Sequence, residues 1–120
     1  MTTGSRRILV LDDDASVRQM LSCYLSRSGW QVVAVASGQE AIHAFKLGRF
    51  SAILADVDLD EELDGIQVVK HLLSQDPRLQ VVIMSGRPHH AQRVEEDNIG
   101  TFLPKPFEPP QLGRILCCEP

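Results

Sequence analysis

Asp12, Asp13 and Asp14 follow directly on four apolar residues in the stretch "ILVLDDD". Carboxylates this close repel, so they either face water or share a cation. Three further polar residues sit in comparable places. Asp56 ends the apolar run "AILAD", Ser85 ends "VVIMS", and Lys105 lies in "FLPKPF". Asp12, Asp13 and Asp56 form an oxygen-only set without His or Cys, which favours Mg2+ or Mn2+. Mg2+ takes one or two carboxylates and leaves places for phosphate oxygens. Lys105 and the Ser85 hydroxyl complement a phosphoryl group from the other side. An Asp beside metal and Lys is suited to accept a phosphoryl group on its carboxylate oxygen.

Each of these residues also has a plainer reading. An acidic triplet between a strand and a helix serves as a solvated turn and cap, and Asp14 is assigned that part. A Lys before Pro is commonly surface decoration, and Ser is a common turn former. What raises the chemical reading is their joint position at the ends of successive apolar runs. His89 and His90 are adjacent on a helix, point two ways and make no metal pair; they are read as exposed.

The elements that must position these side chains follow from periodicity. Ile8–Leu11, Val32–Ala36, Ala52–Ala55 and Val81–Met84 are short, continuous and rich in Val and Ile, as strands buried on both faces are. Thr101–Leu103 is a weaker fifth strand. Val17, Leu21, Tyr24 and Leu25 lie on one helical face, as do Ile66, Val69, Leu72 and Leu73. "SGQE" at Ser37–Glu40 has capping-box form, Asp64 opens the third helix, and Asp76-Pro77 stops it. Pro88 and Pro110 suit first turns of helices, and the last helix covers about Pro109 to Cys118. The sum is five β–α units in strict alternation. This predicts an α/β fold with a doubly wound parallel sheet, whose ligands bind beyond the carboxyl ends of the strands.

Composition narrows the field. The 120 residues suit one domain with one core. A formal net charge of -4 gives no electrostatic footprint for nucleic acid. No apolar run approaches the roughly 20 residues a membrane helix needs. The basic start "MTTGSRR" precedes an apolar run too short for a signal peptide, so a cytoplasmic location is expected. Cys23, Cys117 and Cys118 lack metal spacing, adjacent cysteines rarely bridge, and all three are read as free thiols without a role.

With these motifs in view, the chain from Arg6 to about Leu116 resembles the receiver domain of two-component response regulators. The matching stretches are "ILVLDDD", "ILADVD", Asp64–Gly65, "VIMSG" and "FLPKPF", in that order. The resemblance implies a single (βα)5 domain over residues 1–120 with the flavodoxin-like strand order 2-1-3-4-5. It implies that Asp13 ligates Mg2+ directly, Asp12 mainly through water, and Asp58 through its backbone carbonyl. Asp56 would be phosphorylated by a histidine kinase or phosphotransfer protein, with Ser85 and Lys105 holding the phosphoryl oxygens. Lys105–Pro106 would be cis, and Phe102 would stand at the switch aromatic position. The domain would then signal to a downstream protein, or pair with a second copy, without touching nucleic acid or membrane. Its only chemistry would be its own phosphorylation and dephosphorylation.

The chain departs from the family pattern in three places. The segment between Asp56 and Gly65 is one residue longer than usual, with Leu59 or Asp60 where proline is common. The Ser85 to Lys105 segment is about two residues shorter, which implies a trimmed fourth helix. Asn98 replaces a common Gly, and Asn tolerates the left-handed conformation of a helix end. No output domain follows residue 116, so the chain reads as a regulator signalling by contact or as a piece of something longer.

Two other readings compete. "ILADVDLD" is similar to the D-x-D motif of haloacid-dehalogenase-type phosphatases, but Asp60 stands where that family has Thr or Val. Its further acidic pair would also lie downstream, whereas here Asp12 and Asp13 lie upstream. The second alternative is a receiver-like interaction module that works without phosphate, which the filled site positions oppose.

Overall fold

The computed structural model describes residues 6–47, 49–59 and 64–117. Strands and helices alternate without exception: β1 (Arg6–Leu11), α1 (Ala15–Arg27), β2 (Trp30–Val35), α2 (Gly38–Leu47) and β3 (Ala52–Asp56) come first. Then follow α3 (Gly65–Gln75), β4 (Gln80–Ser85), α4 (His89–Asp97), β5 (Thr101–Pro104) and α5 (Pro109–Cys117). All strand pairs are parallel, in the order β2-β1-β3-β4-β5. The expected (βα)5 sheet is therefore the one observed. The end of α5 falls at the predicted place, except that Cys118 and the Cys117 side chain lie outside the described residues; Cys23 is an exposed free thiol.

The side-chain alternation of each strand splits the core into two layers. Leu9, Leu11, Ile53, Ala55, Val81 and Ile83 face one way, against Ala41 of α2, Ile66, Val69 and Leu72 of α3 and Val94 of α4. Ile8, Val10, Ala52, Leu54, Val82 and Met84 face the other way, against Leu21 and Leu25 of α1 and Leu112 and Leu116 of α5. Burying each large aliphatic side chain contributes about 1.5–3 kcal/mol. Continuous apolar runs are required because β1, β3 and β4 have a helical layer on each face. β3 is buried at all five residues. β2 departs from the sequence expectation: it is an edge strand in which Trp30 and Val35 are buried while Gln31 and Ala34 are exposed. The helices on either face cover inner strands more completely than an edge.

Helix ends follow their chemistry. Asp14 caps α1, its carboxylate accepting from Ser16 and Val17 N–H groups. Asp64 caps α3 in a reciprocal capping box with Gln67. At α2, Ser37 Oγ accepts from Glu40 N–H as predicted, and the Glu40 carboxylate reaches one residue further back, to Ala36 N–H. Asn98 ends the short α4 in the left-handed conformation, φ 51° and ψ 49°, as its amide side chain tolerates. Gly100 follows at φ 153°, where an added Cβ would press on the Val81 carbonyl.

Candidate functional site

Three hydrogen bonds carry the sheet pattern beyond the strands and fix where the polar residues stand. Asp12 N–H donates to Val35 O at 3.2 Å, Val57 N–H to Met84 O at 3.0 Å and Lys105 N–H to Ser85 O at 2.9 Å. Asp12, Asp56, Ser85 and Lys105 consequently emerge on one edge, from neighbouring strands. That edge includes the β1/β3 crevice, where the strand order reverses and open α/β sheets bind ligands. The start of α3 closes the floor. A Cβ at Gly65 would run into the Asp56 carbonyl, so the Asp64–Gly65 turn lies directly on the backbone of Asp56.

The carboxylates differ in setting. Asp12 and Asp56 are 1% and 3% exposed, whereas Asp13 is open to solvent. Ligand oxygens of all three come within 4.8 Å of one another, close enough to hold one metal ion. Asp12 Oδ1 accepts from Asp14 N–H at 2.9 Å, and the Asp12 main-chain carbonyl accepts from Arg18 Nη1 at 2.7 Å. Asp12 Oδ2 is buried with no hydrogen-bond partner among the described residues. Burial, more than the neighbouring Asp56 and Asp13 charges, raises the Asp12 carboxyl above its ordinary range despite the Asp14 N–H and Lys105. A buried oxygen without a donor, in an oxygen-only cluster, fits a hard divalent cation.

Lys105 answers the acids. Its ammonium nitrogen lies 3.0 Å from Asp56 Oδ2 and 3.8 Å from Asp12 Oδ2. Burial pulls its ammonium down. The hydrogen bond and charge of Asp56, joined by Asp12 and Asp58, outweigh that pull and leave the group raised. Asp56 Oδ1 accepts from Asp58 N–H at 3.0 Å. Lys105–Pro106 is cis, as the resemblance implies. Phe102 is half-buried on β5 and packs against the layer containing Ile83, Val94 and Ile99.

The family description "Response regulator receiver domain" matches residues 8–116. The chain belongs to the response-regulator receiver domain family. This receiver domain is 28% identical to the chemotaxis protein CheY of Thermotoga maritima, over 92% of this chain and 94% of that one. It is 36% identical to the response regulator MprA of Mycolicibacterium vanbaalenii, over 84% of this chain but 44% of that longer protein. Among solved structures, Vibrio cholerae chemotaxis protein CheY4 superposes with a TM-score of 0.86 at 28% identity, covering 95% of this chain and 98% of that one. No helix of the receiver domain is long and apolar enough to cross a membrane among the described residues.

Two features of the site escaped the sequence reading. His90 is not exposed; it is a buried residue of α4, 7% accessible, with Nδ1 2.7 Å from Ser85 Oγ. The signal was present, since His90 and the apolar Val94 are four apart and share a helix face. Burial, then the charge of His89, lowers the imidazole against the pull of Asp58, with Arg93 and Arg87 adding to the lowering. The second feature is the Asp58 carboxylate, assigned only a backbone part from the resemblance. Its Oδ2 accepts from Ser85 Oγ at 3.2 Å and from Gly86 N–H at 3.4 Å, and Arg87 Nε lies 3.6 Å from Oδ1. No sequence spacing announces a contact 27 residues apart across a loop. Asp60 and the inserted part of that loop lie outside the described residues.

Proposed function

We propose that this chain is a phosphoryl-accepting signal receiver in which Asp56 is the acceptor. The observation that carries it is the pairing of a buried Asp56 carboxylate with Lys105 beside the buried Asp12 Oδ2, which accepts no hydrogen bond among the described residues. One Asp56 oxygen attacks the phosphorus of a donor. The new O–P bond forms as the donor's bond to phosphorus breaks, and the donor takes the electron pair. Lys105 stands within reach of the added oxygens and offsets their charge. Ser85, at the end of the adjacent strand, supplies a hydroxyl donor. Asp12, Asp13 and Asp56, with the backbone carbonyl of Asp58, would hold Mg2+ or Mn2+, which supplies positive charge for the phosphoryl oxygens.

In this reading the domain spans the whole chain around its 6–116 core and works in the cytoplasm. Its phosphodonor is a histidine kinase or phosphotransfer protein. Phosphorylation repositions Ser85 and Phe102 and changes the surface offered to a protein partner or second copy, with no direct nucleic-acid contact. Its chemistry ends at self-phosphorylation and self-dephosphorylation.

Acetyl phosphate with Mg2+ tests this. Intact mass is expected to rise by one phosphoryl group, and not in chelator or in Asp56→Asn. Continuous turnover of a generic phosphate ester would instead place the chain with the haloacid-dehalogenase-type phosphatases. Absence of any phosphoryl adduct, with the fold intact, would make it a phosphate-independent interaction module.

A further inference from the structure

The Ser85 hydroxyl has one proton and two lone pairs. Arg87 N–H donates to it at 3.0 Å, and it faces Asp58 Oδ2 at 3.2 Å. A carboxylate only accepts, so the Ser85 proton goes to Asp58. One lone pair remains, and His90 Nδ1 sits against it at 2.7 Å. That nitrogen must therefore carry its proton. The imidazolium also has an Nδ1–H, so this assignment holds in either protonation state. All three capacities of the hydroxyl are then engaged, by Asp58, Arg87 and His90 and none by Asp56.

The same geometry is not that of a serine hydrolase. In a Ser-His-Asp triad the acid faces the imidazole nitrogen opposite the serine. Here Asp58 Oδ1 lies 3.7 Å from Nδ1, the nitrogen that already faces Ser85. His90 cannot take the Ser85 proton while its own Nδ1–H points at the oxygen.

We propose that His90 is a positioning residue for the switch: its Nδ1–H latches the Ser85 hydroxyl, and with it the first turn of α4, in the phosphoryl-free arrangement. The proposal rests on the reading of Asp56 as phosphoacceptor. α4 has few other ties at its start. Pro88 caps it without a side-chain hydrogen bond, and His90 and Val94 are its buried residues. His90 N–H also donates to Arg87 O at 3.1 Å, which joins the imidazole to the exposed Gly86–Arg87 turn. For Ser85 to donate to a phosphoryl group on Asp56, its proton leaves Asp58 and its oxygen turns away from His90. Losing the latch frees that first turn, so the signal passes from the phosphoryl site to α4 through one side-chain hydrogen bond.

The test compares the parent with His90→Phe, His90→Leu and His90→Asn. Phe and Leu fill the site without a donor, whereas the Asn amide places an N–H close to where Nδ1 stood. Beryllofluoride is titrated with Mg2+ and its bound fraction read by 19F NMR. Half-saturation should fall about three- to ten-fold in the Phe and Leu variants, the ratio a net hydrogen bond corresponds to. It should stay near the parent value in His90→Asn. In the free proteins, amide exchange over residues 90–94 should quicken in the Phe and Leu variants and remain parent-like in His90→Asn. Equal or weaker beryllofluoride binding in the donorless variants, or unchanged exchange, overturns the latch. If the parent takes up no beryllofluoride, the phosphoacceptor reading fails, and the exchange comparison still decides the latch.

Discussion

Lys105 Nζ lies 3.0 Å from Asp56 Oδ2, bridging the end of β5 to the end of β3 across β4. The contact brings a cation to the one buried acid that stands at the centre of the edge. It also sets a sign for pH dependence. Because the Lys105 ammonium is raised above 10.5, its contribution is fully present below that ordinary value and is lost as pH rises through the folded value. Lys105→Met should therefore lower the urea midpoint near pH 9, and the gap to the parent should narrow as pH rises above the ordinary lysine value and through the folded one. A gap independent of pH would remove the ion pair from the stability of the fold.

Asp12 has the opposite consequence at neutral pH. Its folded value is raised above 3.8, so stability is lost as pH rises from there through the folded value. Above that range the buried carboxyl is a net cost to the fold. Asp12→Asn in chelator should melt higher than the parent by about 3 °C or more. It should also gain less from Mg2+. Asp13→Asn, at the solvent-exposed acid, should give a smaller rise in chelator, because water already screens that charge. Identical Mg2+ responses in parent and both variants would refute the metal assignment.

Gly65 is required by space. A Cβ there meets the Asp56 carbonyl and its carbon, which are backbone atoms that cannot swing aside. Gly65→Ala should cost roughly 1–3 kcal/mol of stability, the range for overpacking. It should also slow phosphorylation, because relief of the clash displaces Asp56. Unchanged denaturation and unchanged phosphorylation would show that α3 can withdraw freely.

Phosphorylation should be felt at Phe102. The ring is half-buried against the core layer that contains Ile83, Val94 and Ile99, and each further Å2 it buries is worth about 25 cal/mol. Phe carries no hydroxyl to hold it outside, so part of the inward movement should precede phosphorylation. Amide exchange over residues 85–94 and 101–107 should change when beryllofluoride occupies the site. No change in either segment, with occupancy demonstrated, would make the domain a phosphate carrier without a conformational switch.

The parts of this molecule legible in sequence are those set by local patterns. The apolar runs predicted β1, β3 and β4 because strands covered on both faces admit little else. Asp14, Asp64 and Asn98 were readable because caps depend on a few neighbouring residues. The convergence of Asp12, Asp56, Ser85 and Lys105 followed from strand ends in a parallel sheet. β2 was found as a strand, but its expected burial on both faces failed because edge position is a property of strand order, not of residue type. His90 was misjudged because a polar residue on an apolar face reveals its burial only once its partner is known, and Ser85 is reached through a loop. The Asp58 carboxylate was invisible for the same reason: its contacts cross from the β3 end to the β4 end.

Locating the phosphoryl group tests the central claim most directly. Borohydride reduces an aspartyl phosphate to homoserine, which marks the modified residue permanently for peptide mass spectrometry. After treatment with acetyl phosphate and Mg2+, homoserine is expected at residue 56 and absent in chelator. Homoserine at residue 12, 13 or 58 instead, or a phosphoryl adduct that survives Asp56→Asn, would contradict Asp56 as the acceptor.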